Sequence, residues 1–202
     1  MRADGHRRRQ AILREAVTLS TVDGLEGLSI GNLAKALAMS KSGLYAHFGS
    51  KEELQLATVD EAARIFRQEV IEPALRAPAG VGQLVAVCDA FVEHLRRRTF
   101  PGGCFFAGAV LEMGSRSGPV KEAVAAFQQG LVQQIGEFAG AAIAGGELPV
   151  TEDPGQLAFE IMGVILATNA GFVLGGDDGV LDVAGQVVRR RLGVATDGPG
   201  RA

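Results

Sequence analysis

Residues 28–51 read LSIGNLAKALAMSKSGLYAHFGSK, and their pattern decides what the rest of the chain must supply. Ser29 precedes the apolar set Leu33, Ala34 and Leu37 and suits a helix N-cap, because its hydroxyl can accept from a first-turn amide that lacks an intrahelical partner. Ala38 and Met39 make a turn, and Ser40 offers a second cap. Leu44 and Phe48 follow four residues apart on one face of a short second helix, with Lys41, Ser42, Tyr45 and Ala46 on the other. A helix of barely two turns is not stable alone in water. It must rest on other elements through Leu44 and Phe48, so its polar face is presented outward. That is the arrangement of a helix-turn-helix, whose second helix lies in the DNA major groove with its N-terminal side chains at base edges.

Residues 7–22 supply the missing platform, a first helix with Ile12, Leu13, Ala16, Val17 and Leu19 on a broad apolar stripe. Arg7, Arg8 and Arg9 stand at its start, the end where the helix dipole disfavours cations. Two readings stay open for them, a phosphate partner or plain solvation. Ser50 and Glu53 form a capping-box pattern that opens a long helix to about Ala74, which links the DNA-reading module to the rest of the chain. Further helices are expected over 81–98, 104–114, 119–144, 154–174 and 180–192, with Pro119 and Pro154 at first helical positions and Asp153 as a cap. No stretch alternates with period two for long enough to be a strand. The expectation is an all-α chain of nine helices, with residues 1–49 as the DNA-binding domain, 50–194 as a larger helical domain and 195–202 as a disordered tail.

Gly24, Leu28, Ser29, Leu33, Ala34, Leu37, Ser40, Gly43, Leu44, Tyr45, His47, Phe48, Lys51 and Leu54, including the run LYAHFGSKEEL, resemble the N-terminal signature of the TetR family. The segment PGGCFFAGAVLEM from Pro101 is similar, more weakly, to a C-terminal block of some members. The resemblance implies a homodimeric transcriptional regulator, expected to be a repressor released from a palindromic operator by a small, mainly apolar effector. It implies base reading by Lys41 and Ser42, with Tyr45 on base methyls or phosphate, and phosphate contacts from Ser29, Gly43, His47 and Lys51. Gly31 departs from the pattern, because many relatives carry a base-reading side chain there; Asn32 is the neighbour that could compensate.

The resemblance also implies an effector pocket in the larger domain. Its candidates are Phe91, Phe105, Phe106, Met113, Phe127 and Met162, with His94, Glu112, Glu160 and Asn169 as polar anchors, although each aromatic or Met taken alone is more often plain core. The helix at 154–174 is apolar nearly all round and so should be buried on both sides. The subunit seam is placed on it and on the last helix, at Ile161, Ile165, Thr168, Phe172, Val187 and Val188. Gly163, Ala167 and Gly171 permit close helix approach there, or are merely small core residues.

Charge separates along the chain. Of 20 basic and 23 acidic residues, residues 1–51 hold eight basic (Arg2, Arg7, Arg8, Arg9, Arg14, Lys35, Lys41, Lys51) and four acidic (Asp4, Glu15, Asp23, Glu26), which leaves the remainder acidic. Such asymmetry is expected where one end alone meets phosphate. Cys88 and Cys104 do not make a disulfide framework, and a redox-sensing role for Cys104 competes with that of a small buried hydrophobe. The longest uncharged run, 161–176, is short of the ~18–20 residues a bilayer needs, and no apolar leader opens the chain, so a cytoplasmic protein without membrane contact is expected. There is no P-loop, G-x-S-x-G, Rossmann or paired-His motif. His47 lacks neighbours at ligand spacing, so no catalytic set, metal or cofactor is expected.

Overall fold

The computed structural model describes residues 2–195, without the side chains of residues 2–4 and 6. The tail expectation for 196–202 lies outside the described residues. Within them the chain is all helical with no strand, and nine helices follow in order when one continuous run is counted as a single helix. These are α1 (Arg2–Asp23), α2 (Ile30–Ala36), α3 (Lys41–Phe48), α4 (Lys51–Phe66, continued without a break by π-helical Arg67–Ile71 and α-helical Glu72–Arg76), α5 (Val81–Arg96), α6 (Phe105–Met113), α7 (Pro119–Ala144), α8 (Pro154–Gly175) and α9 (Gly179–Arg191).

Two compact units divide the chain, one built from residues up to Phe66 together with Phe100–Gln128, the other from Arg67–Thr99 together with the residues from Gln129 onward. The first unit is organised by α1, whose Ile12, Leu13, Ala16 and Val17 are buried, and by the loop residues Leu25 and Leu28, each 1% exposed. Ile30, Leu33 and Ala34 of α2, Leu44 and Phe48 of α3, and Leu54, Val59, Ala62, Ile65 and Phe66 of α4 complete its N-terminal core. Each short helix therefore gains from tertiary burial the stability that its length denies it.

The serines act as the spacing predicts. Ser29 Oγ accepts from the Asn32 amide at 3.1 Å and Ser40 Oγ from the Gly43 amide at 3.1 Å. Between them Ala38 turns the chain at φ 50°, and Gly49 stops α3 at φ 67°, a region glycine enters without a Cβ clash. At Ser50 the expected reciprocal box is one-sided. Its hydroxyl accepts from the Glu53 amide at 3.1 Å, but its own amide is taken by the Phe48 carbonyl at 2.6 Å, so the Glu53 carboxylate is not needed there.

In the second unit, α5 packs on α8 and α9 through Leu84, Val87, Cys88, Phe91, Val92 and Leu95. Asp153 caps α8 by accepting from the Gln156 amide at 2.7 Å. By length and composition α8 could cross a membrane, yet Leu157, Ala158, Ile161, Met162, Ile165, Thr168 and Phe172 are buried within the unit. The expectation that α8 is covered on both sides does not hold for the single chain: Phe159 is 77% exposed, Leu174 88% and Val173 43%. Ion pairs fasten α9 to its neighbours. Arg189 reaches Asp89 on α5 at 2.6 Å, and Arg191 reaches Glu152 at 2.7 Å and Glu160 at 2.5 Å.

Candidate nucleic-acid interface

Burial of Leu44 and Phe48 fixes the rotation of α3 about its axis, and the opposite face follows from that rotation. Lys41, Ser42, Tyr45 and Ala46 all point outward, with Tyr45 55% exposed. An ammonium with three donors, a hydroxyl that donates and accepts, and a phenol are thus gathered on one face of a helix only eight residues long. That set can engage the acceptor edges of purines and the backbone oxygens of a duplex. Ser42 Oγ lies 3.3 Å from Ser40 Oγ, an exposed contact that water or a base edge can replace.

Gly31 sits beside this face. A Cβ built on it would stand 3.5 Å from Lys41 Cε and 3.7 Å from its Nζ, so the lysine stem occupies the space next to the glycine. The side chain that Gly31 lacks is replaced in space by the one from Lys41. Asn32 is exposed, but its amide nitrogen donates to the Gly27 carbonyl at 3.3 Å. It braces its own loop.

The expected phosphate contacts divide. The Ser29 hydroxyl accepts from a helix amide and keeps its own proton to donate. His47 is half-buried in the last turn of α3, with its ring centroid 6.1 Å from that of Phe48. The Gly43 amide is already spent on Ser40. Lys51 Nζ donates to the Glu26 carbonyl at 2.7 Å and lies 3.4 Å from its carboxylate, so this cation ties the loop before α2 as well as facing solvent. Arg9 of α1 places its guanidinium 5.2 Å from the centroid of the Phe48 ring, a cation–π contact on the rim of the same module. The arginines at 7–9 are exposed.

Of the residues expected around an effector, Phe105, Phe106, Met113 and Phe127 belong to the first unit, and Phe91, His94, Met162 and Asn169 to the second. Phe106 and Phe127 stack at 3.4 Å between centroids, and Phe66 meets both edge-on, so these rings are packed on one another. His94 is 4% exposed, with Nδ1 2.7 Å from the carboxylate of Glu69, which also accepts from the Thr99 hydroxyl. Two anchor expectations are corrected. Glu160 is bound by Gln156 and Arg191, which hold its carboxyl below the ordinary value. Glu112 accepts the backbone amides of Leu25 and Glu26, each at 2.8 Å.

A second correction concerns the seam. Ile161, Ile165, Thr168, Phe172 and Val188 are at most 4% exposed inside their own subunit; of the six expected residues only Val187, 44% exposed, faces outward. The outward apolar residues on these two helices are Phe159, Val173, Leu174, Val183 and Val187. Beside them a cavity of about 150 Å³ lies between α8 and α9, lined by Ile161, Val164, Val187, Val188 and Leu192 and bounded by the Glu160–Arg191 pair.

The cysteines are buried. Burial pushes the Cys104 thiol up to about 11 and the Cys88 thiol up to about 12, the latter also raised by Asp89. Thiols of that kind hold almost no thiolate near neutrality, which argues against a redox-sensing Cys104.

Residues 12–58 match the family model described as bacterial regulatory proteins, tetR family, and residues 80–188 match the model described as tetracyclin repressor-like, C-terminal domain. Among solved structures, a TetR transcriptional regulator from Chloroflexus aurantiacus is 27% identical with a TM-score of 0.83, over 96% of this chain and 97% of that one. A TetR-family transcriptional regulator from Streptomyces coelicolor is 25% identical with a TM-score of 0.75, over 90% and 93%. AibR, solved in complex with isovaleryl coenzyme A and operator DNA, is 26% identical with a TM-score of 0.73, over 91% and 97%. No curated protein matches this chain.

Proposed function

The chain belongs to the TetR family of bacterial regulatory proteins, transcription regulators and not enzymes, and from that premise we propose that it is a repressor acting as a homodimer on a palindromic operator and released by a small, mainly apolar effector. The observation that carries this reading is the outward face of α3, on which Lys41, Ser42 and Tyr45 stand over a buried Leu44 and Phe48. In this reading residues 1–49 read DNA and 50–194 bind the effector and dimerise. Lys41, with its stem beside Gly31, donates to guanine O6 and N7, Ser42 and Tyr45 contact neighbouring bases, and Ser29, His47 and Lys51 hold phosphates.

One module spans only a few base pairs, so two are needed, set about a helical turn or roughly 34 Å apart on the duplex. The partner surface is the exposed apolar side of α8 and α9, where Phe159 and Leu174 are largely bare and Val187 is partly so. The effector acts through its differential affinity for two arrangements of the long helix α4. AibR, whose structure holds both isovaleryl coenzyme A and operator DNA, supports the pairing of an effector with operator DNA on one such fold, though not the apolar class of the effector. The protein works in the cytoplasm, beside the chromosome.

The deciding experiment is a fluorescence anisotropy titration of duplexes selected from genomic fragments, run at two salt concentrations with a random duplex as control. Sequence-preferring binding that weakens steeply with salt is expected. Equal affinity for the selected and random duplexes rules the reading out.

A further inference from the structure

The loop between α1 and α2 is held from two sides. Gly24 takes φ 80°, and the amides that follow it, on Leu25 and Glu26, point the same way, forming the small concavity of successive N–H groups that suits an anion. That concavity is filled by the Glu112 carboxylate of α6, one oxygen to each amide at 2.8 Å. A Cβ on Gly24 would come within 2.8 Å of Glu112 Oε1, so only glycine leaves room for so close an approach. From the other side, Gln55 of α4, 5% exposed, donates to the Leu25 carbonyl at 2.8 Å, and Lys51 donates to the Glu26 carbonyl. Both amides and both carbonyls of residues 25–26 are thus engaged by side chains from outside the loop. The residues held stand three and four positions before Ser29, the cap of the first helix of the DNA-reading pair.

We infer that Glu112 is a positioning residue for DNA binding: its carboxylate sets the loop that orients α2 and α3. This rests on the proposed function, and it adds a residue outside the helix-turn-helix to operator recognition. A carboxylate that accepts two consecutive amides cannot be replaced by an isosteric amide, because the glutamine NH2 would face an N–H group with no acceptor between them. A contact of mere stability would lower the melting temperature and leave the affinity of the folded protein alone. A contact that sets the module lowers affinity beyond what stability accounts for.

The test compares wild type, Glu112→Gln, Glu112→Ala and Val124→Ala, the last a buried position on α7. Each full-length protein is measured for operator affinity by anisotropy, for melting temperature, and for hydrogen exchange at residues 24–27. Both Glu112 variants should bind the selected duplex about tenfold more weakly than wild type and exchange the Leu25 and Glu26 amides faster, whereas Val124→Ala should melt earlier but bind like wild type. If Glu112→Ala does not fold, Glu112→Gln alone decides. Affinity of Glu112→Gln within about twofold of wild type, or a loss matched by Val124→Ala at equal destabilisation, overturns the inference while the proposed function stands. A wild type with no sequence preference overturns both.

Discussion

Helices α3 and α8 each leave one face uncovered by their own subunit, and the two faces are chemically opposite. On α3 the uncovered side is Lys41, Ser42 and Tyr45; on α8 it is Phe159, Val173 and Leu174. The first is hydrated at no cost and is of use only against something that offers acceptors. The second leaves apolar area in water, at roughly 25 cal/mol per Å², and is relieved only by another apolar surface. One chain thus advertises for two kinds of partner, and the chemistry of each face names the kind.

The comparison breaks most completely at the apolar face. Replacing Phe159 and Leu174 together by Asp should raise the dimer dissociation constant by about a hundredfold or more in sedimentation equilibrium, and operator binding should fall with it, since two modules are required. At the polar face, Lys41→Ala should leave the dimer intact but reduce discrimination between selected and random duplex by about tenfold, the worth of one lysine–guanine contact, as read by anisotropy. Equal loss on both duplexes would remove Lys41 from base reading. Lys51→Ala sharpens the boundary of that face. If its ammonium leaves Glu26 for a phosphate on binding, affinity falls on all sequences and the salt slope drops by about one. An unchanged slope would confine Lys51 to its tie with the Glu26 carbonyl.

A smaller effect comes from the ion pairs beside the apolar face. Glu160 has its carboxyl held low by Gln156 and Arg191, so it adds stability above its unfolded value of about 4.3 and loses that contribution as the pH falls through its lower folded value. Melting temperatures taken from pH 6 downward should decline more steeply for wild type than for Glu160→Gln. The smallest effect expected is none: treatment with a thiol reagent at neutral pH should leave Cys88 and Cys104 unmodified and operator affinity unchanged.

The fold was legible wherever its cause is local. Ser29, Ser40 and Asp153 cap because a hydroxyl or carboxylate three residues before an amide is a short-range fact, and the outward face of α3 follows once Leu44 and Phe48 are placed inward. What is non-local was not. A helix apolar nearly all round carries no mark of which side belongs to its own core, so its sequence points to Ile161, Ile165, Thr168 and Phe172 for the seam, yet these are inside, while Phe159 and Leu174 are outside. Glu112 read as a pocket anchor because its partners, Leu25 and Glu26, lie 87 and 86 residues earlier. The one local hint is Gly24, whose missing side chain leaves the room that a carboxylate needs.

The π-helical stretch Arg67–Ile71 has a consequence for how this lineage can change in length. Wider winding there absorbs an additional residue, and Val70 and Ile71 within the stretch and Ala74 beyond it still reach the core of their unit, while Glu69 meets His94. Deleting a single residue from that stretch would restore ordinary pitch with the downstream side chains still in phase, whereas deleting a second would turn them by about 100° about the helix axis. Buried valine and isoleucine would swing toward water. Insertions and deletions here are therefore filtered by phase and not by composition, and homologues should carry this segment either at this length or one residue shorter, even where they keep none of its letters.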